Sequence, residues 1–148
     1  MGHSIRAVLG PLLSIQKLAD GWDCAEVIEL PQGTGMVFLT DAFLDRIAER
    51  SGASGALCSP ALSYLTAAAD QFLRRASLRT RLVYLETSYF GGAGTQAGAL
   101  YEDGQIQTAP RAGEGTINRL LRELGVRRSL GRDEFDSLGL GAYRRMED

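Results

Sequence analysis

The chain has 148 residues, 45% of them apolar, a single histidine and a formal net charge of -2. That apolar share is enough for one core-bearing domain over residues 1–148 without disulfides or a structural metal, and Cys24 and Cys58, far apart and in no C-x-x-C spacing, predict reduced thiols and a cytoplasmic setting. The charge balance gives no global reason to expect nucleic acid or an anionic membrane, no run approaches the length of a membrane span, and Gly10-Pro11 interrupts the apolar stretch from Ala7 to Ile15 that could pass for a signal peptide.

In chain order, Ser4 to Leu9 predicts a first strand, and Leu12, Leu13, Ile15 and Leu18 mark a short helix stopped at Asp20-Gly21. Cys24 to Leu30 and Met36 to Leu39 predict two strands joined by a hairpin around Pro31 to Gly35. Thr40 or Asp41 can cap a helix whose apolar face is Phe43, Leu44, Ile47 and Ala48, ended by Ser51-Gly52. Ser59-Pro60 predicts the opening of a helix of about five turns, because Leu62, Leu65, Ala69, Phe72, Leu73 and Ala76 keep helical spacing. Leu82 to Phe90, Ala97 to Tyr101 and Gln105 to Thr108 predict three consecutive antiparallel strands, the first pair joined by a glycine-rich loop and the second by the two-residue turn Asp103-Gly104. Thr116 can cap a helix with Ile117, Leu120, Leu121 and Leu124 on its buried face and Gly125 at its end, and Asp133 a last helical turn through Phe135 and Leu138. The sum is an α+β domain, a mostly antiparallel sheet with helices packed on it.

The least ordinary segment runs from Tyr84 to Gln96. Gly92-Ala93-Gly94-Thr95-Gln96-Ala97 matches the G-x-G-x-x-A form of a dinucleotide loop, yet no helix follows whose free amides could hold a pyrophosphate, and there is no Gly-Lys-Ser/Thr. Glu86, at the end of an apolar strand, could be prepared by burial as a general base; Tyr89, Gly92, Gly94, Thr95 and Gln96 would line a ligand pocket around it. A buried structural carboxylate would use Ser88, Thr95, Tyr84 and Tyr89 for its hydrogen bonds. No catalytic set is assigned, since His3 near the terminus is the sole imidazole available to a Ser-His-Asp or Cys-His site. No cofactor or metal is implied: Asp133-Glu134-Phe135-Asp136 fits no calcium loop and suits a helix start better.

Charge is uneven along the chain. From Met1 to Arg50 acids lead bases by seven to four, whereas Arg74, Arg75, Arg79, Arg81 and then Arg119, Arg122, Arg127, Arg128 and Arg132 make the second half arginine-rich. Complementing helix C-termini accounts for those arginines better than a nucleic-acid contact. The acidic loop bearing Asp20, Asp23, Glu26 and Glu29 holds Trp22, which could be an exposed anchor for a protein partner or a packing residue. An apolar strand left at a sheet edge would also allow a homodimer.

Leu30-Pro31-Gln32-Gly33, the strand running into Thr40-Asp41, Glu86 with Tyr89-Phe90-Gly91-Gly92 and Gly94-Thr95-Gln96, and the tail Asp133 to Leu140 together resemble a family of short bacterial proteins with no assigned activity. The likeness covers most of the chain. Members of that family look like the small single-domain immunity proteins that accompany polymorphic toxins, so the resemblance implies binding of a cognate toxin and occlusion of its active site. Two readings follow: a protein-binding module, with Asp20, Trp22, Asp23, Glu26 and Glu29 facing a basic toxin, or a small enzyme or ligand-binding protein with its pocket at Glu86 and the glycine-rich loop.

Overall fold

The computed structural model describes residues 3–52, 62, 64–90, 93–113, 115–128 and 130–140. Six strands form one antiparallel sheet in the order β2-β3-β1-β4-β5-β6. They are β1 (His3–Pro11), β2 (Ile28–Leu30), β3 (Thr34–Phe38), β4 (Arg81–Phe90), β5 (Ala93–Glu102) and β6 (Gln105–Ala112); the helices are α1 (Leu12–Ala19), α2 (Asp41–Ser51), α3 (Ala67–Ala76), α4 (Thr116–Leu124) and the single turn α5 (Glu134–Ser137). This is the α+β arrangement the pattern predicts.

Alternation along the central strands explains why helices lie on both faces. Side chains two apart share a face, so Val8, Val37, Leu82, Tyr84, Ala99 and Tyr101 form one core with α1, α2 and α3. Ala7, Leu9, Met36, Val83, Leu85 and Leu100 form the other with α4 and with Val126 and Leu138. The strands β1 and β4 are therefore apolar at almost every central position, as strands buried on both sides must be.

Several element boundaries depart from the pattern for identifiable reasons. The strand expected from Cys24 begins only at Ile28, because Ala25 N donates to Trp22 O at 3.2 Å and turns the chain there. The long helix expected to follow Ser59-Pro60, residues that lie outside the described ones, starts at Ala67 instead. Thr66 is its cap, Oγ1 accepting from Ala69 N at 3.1 Å, while Tyr64 N donates to a carboxylate oxygen of Glu86 on the sheet. Leu62 and Leu65 are nonetheless fully buried; helical spacing there marks burial without helical backbone.

Thr40 caps α2 as expected, its Oγ1 accepting from Phe43 N at 3.2 Å. Thr116 does not cap α4. The cap position is Gly115, with φ of 81°, and the acceptor comes from β5, Gln96 Oε1 taking the Ile117 N–H at 2.8 Å. The glycine-rich stretch is also more regular than expected. Ala93, Gly94, Thr95 and Gln96 stand in the ladder opposite Phe90, Tyr89, Ser88 and Thr87, whereas Gly91 and Gly92 lie outside the described residues. Asp103 and Gly104 turn the chain into β6 with φ of 51° and 83°, the pair of positive angles a two-residue hairpin turn requires. The final strand extends to Ala112, past Pro110, which an edge strand tolerates because its missing N–H has no ladder partner to lose.

At Gly98 the sheet and α4 approach closely. A Cβ there would collide with the Tyr84 carbonyl oxygen and lie 2.6 Å from Leu120 Cδ1. Gly98→Ala should lower the free energy of unfolding by about 1 to 3 kcal/mol or more, as overpacking does, and urea denaturation should show a lower midpoint at unchanged slope.

Candidate functional site

Burial along β4 places one carboxylate inside the helical face. Glu86 is 5% exposed and sits across the ladder from Arg6, itself 8% exposed. Arg6 Nε donates to Leu39 O at 2.9 Å and its terminal nitrogen to Asp41 Oδ1 at 2.7 Å, and its guanidinium carbon lies 4.9 Å from the centre of the Tyr64 ring. Glu86 Oε2 accepts from Tyr84 Oη at 2.5 Å and from Tyr64 N at 2.9 Å. The phenol of Tyr84 is held far above its ordinary ionisation range, first by burial, then by the Glu86 charge and their hydrogen bond, with Arg6 acting in the opposite sense. A phenol that stays protonated is a permanent donor, so the carboxylate is tied to its own strand and to the segment leading into α3. The geometry makes Glu86 a brace.

Of the residues grouped with Glu86 on sequence grounds, Gln96 is placed on the opposite face of the sheet. Thr87, the next residue along β4, points to the other face, where its hydroxyl accepts from Ile5 N at 3.3 Å. Gln96 is opposite Thr87 in the ladder and likewise serves that second face by binding the first turn of α4. Glu86 and Gln96 are thus separated by the thickness of the sheet. Thr95 is exposed and Tyr89 stands opposite Gly94; Gly92 lies outside the described residues.

The acidic segment has a more coherent geometry. Asp20, Asp23, Glu26 and Glu29 are all exposed along the α1–β2 connection and the edge strand β2. Trp22, in their midst, is half-buried rather than a free anchor. Its ring centroid is 5.3 Å from that of Phe43 and 5.3 Å from that of Phe72, and those two rings are 5.7 Å apart. Three tilted aromatic rings of this kind secure the loop to α2 and α3. The Arg50 guanidinium lies 3.9 Å above the indole and donates to Gly21 O at 2.9 Å, and Arg46 approaches Asp23 at 4.0 Å.

These contacts bring α2 alongside the loop, which sequence reasoning missed. Asp41, Asp45 and Glu49, spaced four apart on α2, are exposed, and Asp41 is engaged by Arg6; the spacing on one polar helix face was the available signal. Gly21, Trp22, Asp23, Arg46 and Arg50 line an open concavity of about 470 Å³. Cys24 is half-buried against the same core, and Cys58 lies outside the described residues.

Much of the arginine-rich half is committed to carboxylates. Arg74 pairs with Asp70 at 3.0 Å, Arg81 with Glu102 at 2.8 Å and Arg119 with Glu123 at 3.8 Å, while Arg122 and Arg128 both approach Glu134, at 3.0 and 3.8 Å. Glu134, 2% exposed, is thus a structural acid, and Asp133 accepts from Asn118 Nδ2 at 3.1 Å. Among the described residues no three His, Cys, Asp or Glu side chains are placed to hold a metal ion, and no helix is long and apolar enough to cross a membrane.

Two outcomes test the brace. Folding keeps Tyr84 protonated, so its stabilising contribution is full below the unfolded tyrosine range and is lost as pH rises above about 10. Wild-type stability should therefore fall more steeply than that of Tyr84→Phe in that range, and at neutral pH Tyr84→Phe should cost about 1 to 3 kcal/mol by removing a donor from a buried carboxylate. Equal alkaline slopes in parallel denaturant titrations would contradict this. No protein-family model, curated protein or solved structure matches the chain.

Proposed function

We propose that this chain is a protein-binding module whose partner is a basic protein, and more specifically an immunity protein that acts in the bacterial cytoplasm by covering the active site of a cognate toxin. The observation that carries the first part is the set of exposed carboxylates Asp20, Asp23, Glu26 and Glu29 on a loop that the Trp22 ring contacts hold against α2, itself bearing the exposed Asp45 and Glu49. Carboxylates of one sign on a fixed surface accelerate encounter with a basic patch and disfavour acidic competitors. The concavity beside Trp22 supplies what charge alone lacks, a shaped place for a side chain of the partner. The family resemblance in sequence supports the toxin as the kind of partner.

Rigidity supports the same reading. The loop is held by the ring contacts of Trp22 and by Arg50, so little order remains to be gained on binding and the ordering cost is small.

The experiment is capture from the native host with tagged protein, identification of the retained partner by mass spectrometry, and kinetics with purified components. A single stoichiometric basic protein, toxic when produced alone, is the expected capture. Neutralising the surface with Asp23→Asn, Glu26→Gln and Glu49→Gln together should lower the association rate about tenfold or more at low salt, with little change at high salt or in stability, since all three side chains are exposed. Failure to retain any protein below micromolar concentration, or an association rate indifferent to these changes, would refute the proposal.

A further inference from the structure

The concavity beside Trp22 differs in charge from the segments that build it. Arg46 and Arg50 line it with Gly21, the indole and Asp23, whereas Asp20 and Glu26 on the same loop and Asp45 and Glu49 on the same helix are exposed acids. The two arginines stand four residues apart on α2, a spacing that puts their side chains on one face of the helix.

Neither guanidinium is hydrogen-bonded to a carboxylate among the described residues. Arg46 approaches Asp23 only at 4.0 Å, beyond hydrogen-bond reach. Arg50 donates to Gly21 O at 2.9 Å and lies 3.9 Å from the centre of the indole ring. By contrast, Arg6, Arg74, Arg81 and Arg122 each donate to a carboxylate oxygen at 2.7 to 3.0 Å. A guanidinium has five N–H donors, so the α2 pair has donors to spare, and like charges at this spacing repel. Stacking and the Gly21 bond fix the plane of the Arg50 fork, and contacts of Trp22 with Phe43 and Phe72 fix the ring in turn. That fork is therefore positioned before a ligand arrives.

We propose that the concavity receives a single carboxylate, an aspartate or glutamate side chain that the partner carries within its basic surface. A planar carboxylate accepts two parallel N–H bonds from a guanidinium fork, stronger than bonds between neutral groups, and between Arg46 and Arg50 it relieves their repulsion. The surrounding acids govern its delivery. They disfavour a free anion, and a phosphate with its second charge more so, whereas cations beside the partner's carboxylate pair with Asp20, Glu26, Asp45 and Glu49. The same pattern rejects a uniformly basic surface, whose cations would meet Arg46 and Arg50 with no counter-charge of their own. The inference rests on the basic-partner reading and adds the anchor that reading leaves unnamed.

Trp22 is the only tryptophan, so its fluorescence reports on this site. Two peptides titrated into the purified chain are the probes: acetyl-Lys-Lys-Glu-Lys-Lys-amide and the same peptide with glutamine at its centre. The glutamate peptide should bind about tenfold or more tighter, the effect of a charge-assisted hydrogen-bond pair. Simple attraction to an acidic surface predicts the reverse order, because the glutamine peptide carries more net positive charge. Arg46→Gln should remove most of the ratio with unchanged circular dichroism, since that side chain is exposed, and Arg50→Lys, which keeps the charge but loses the fork, should reduce it too. Glu26→Gln with Glu49→Gln should weaken both peptides and leave the ratio intact. Equal binding of the two peptides, a tighter glutamine peptide, or a ratio unchanged in Arg46→Gln overturns the inference. If both peptides nonetheless bind and weaken in the Glu26→Gln, Glu49→Gln variant, the basic-partner reading stands without it. Binding of neither peptide overturns the inference as well.

Discussion

A sheet covered on both faces requires its central strands to serve two cores at once, and this constraint organises the molecule. Every second residue of β1 and β4 belongs to the layer of α1, α2 and α3, and the residues between belong to the layer of α4. A one-residue slip in the pairing of these strands would exchange the two sets and bring Arg6 and Glu86 into the layer of α4. The Arg6–Glu86 register, with Tyr84 and Tyr64 closing around the carboxylate, therefore acts as a polar marker that fixes both register and face. Buried polar pairs are costly when half-satisfied; here each partner has hydrogen bonds to spread its charge over.

The same constraint decides what can be a site. Residues close in sequence on a strand are sent to opposite sides, so Glu86 and the Gln96 region, which look like one constellation along the chain, do separate structural work. Glu86 ties the sheet to the approach of α3, and Gln96 supplies the first-turn acceptor for α4. By contrast, the acidic surface is assembled from a loop and a helix that share a side of the sheet, and a single aromatic cluster brings them together. Trp22 is better seen as the keystone of that cluster than as its exposed tip.

Periodicity made the sheet and most of the helices legible because burial on one or both faces leaves a direct imprint on residue type. Ser4 to Leu9, Leu82 to Leu85 and the helix ending at Gly125 follow it closely. Legibility ended where a tertiary partner replaced a local one. Thr116 has the chemistry of a cap, but Gln96 takes the amide from across the fold; Leu62 and Leu65 have helical spacing, but Glu86 takes the Tyr64 amide and the backbone there is not helical. The acidic surface was half visible: Asp20, Asp23, Glu26 and Glu29 cluster in sequence, whereas Asp45 and Glu49 join them through contacts of Arg46 and Arg50 that no local pattern encodes.

Binding by a preformed acidic surface makes a specific claim about where a partner leaves its imprint. Hydrogen exchange of the captured complex, compared with the free chain, addresses it most directly. The account predicts slowed exchange concentrated in residues 20–29 and in α2, with β4, β5 and the Glu86 brace unchanged. Protection centred on β4 and the β4–β5 connection, with residues 20–29 exchanging as in the free protein, would contradict it and return the function to the glycine-rich end of the sheet.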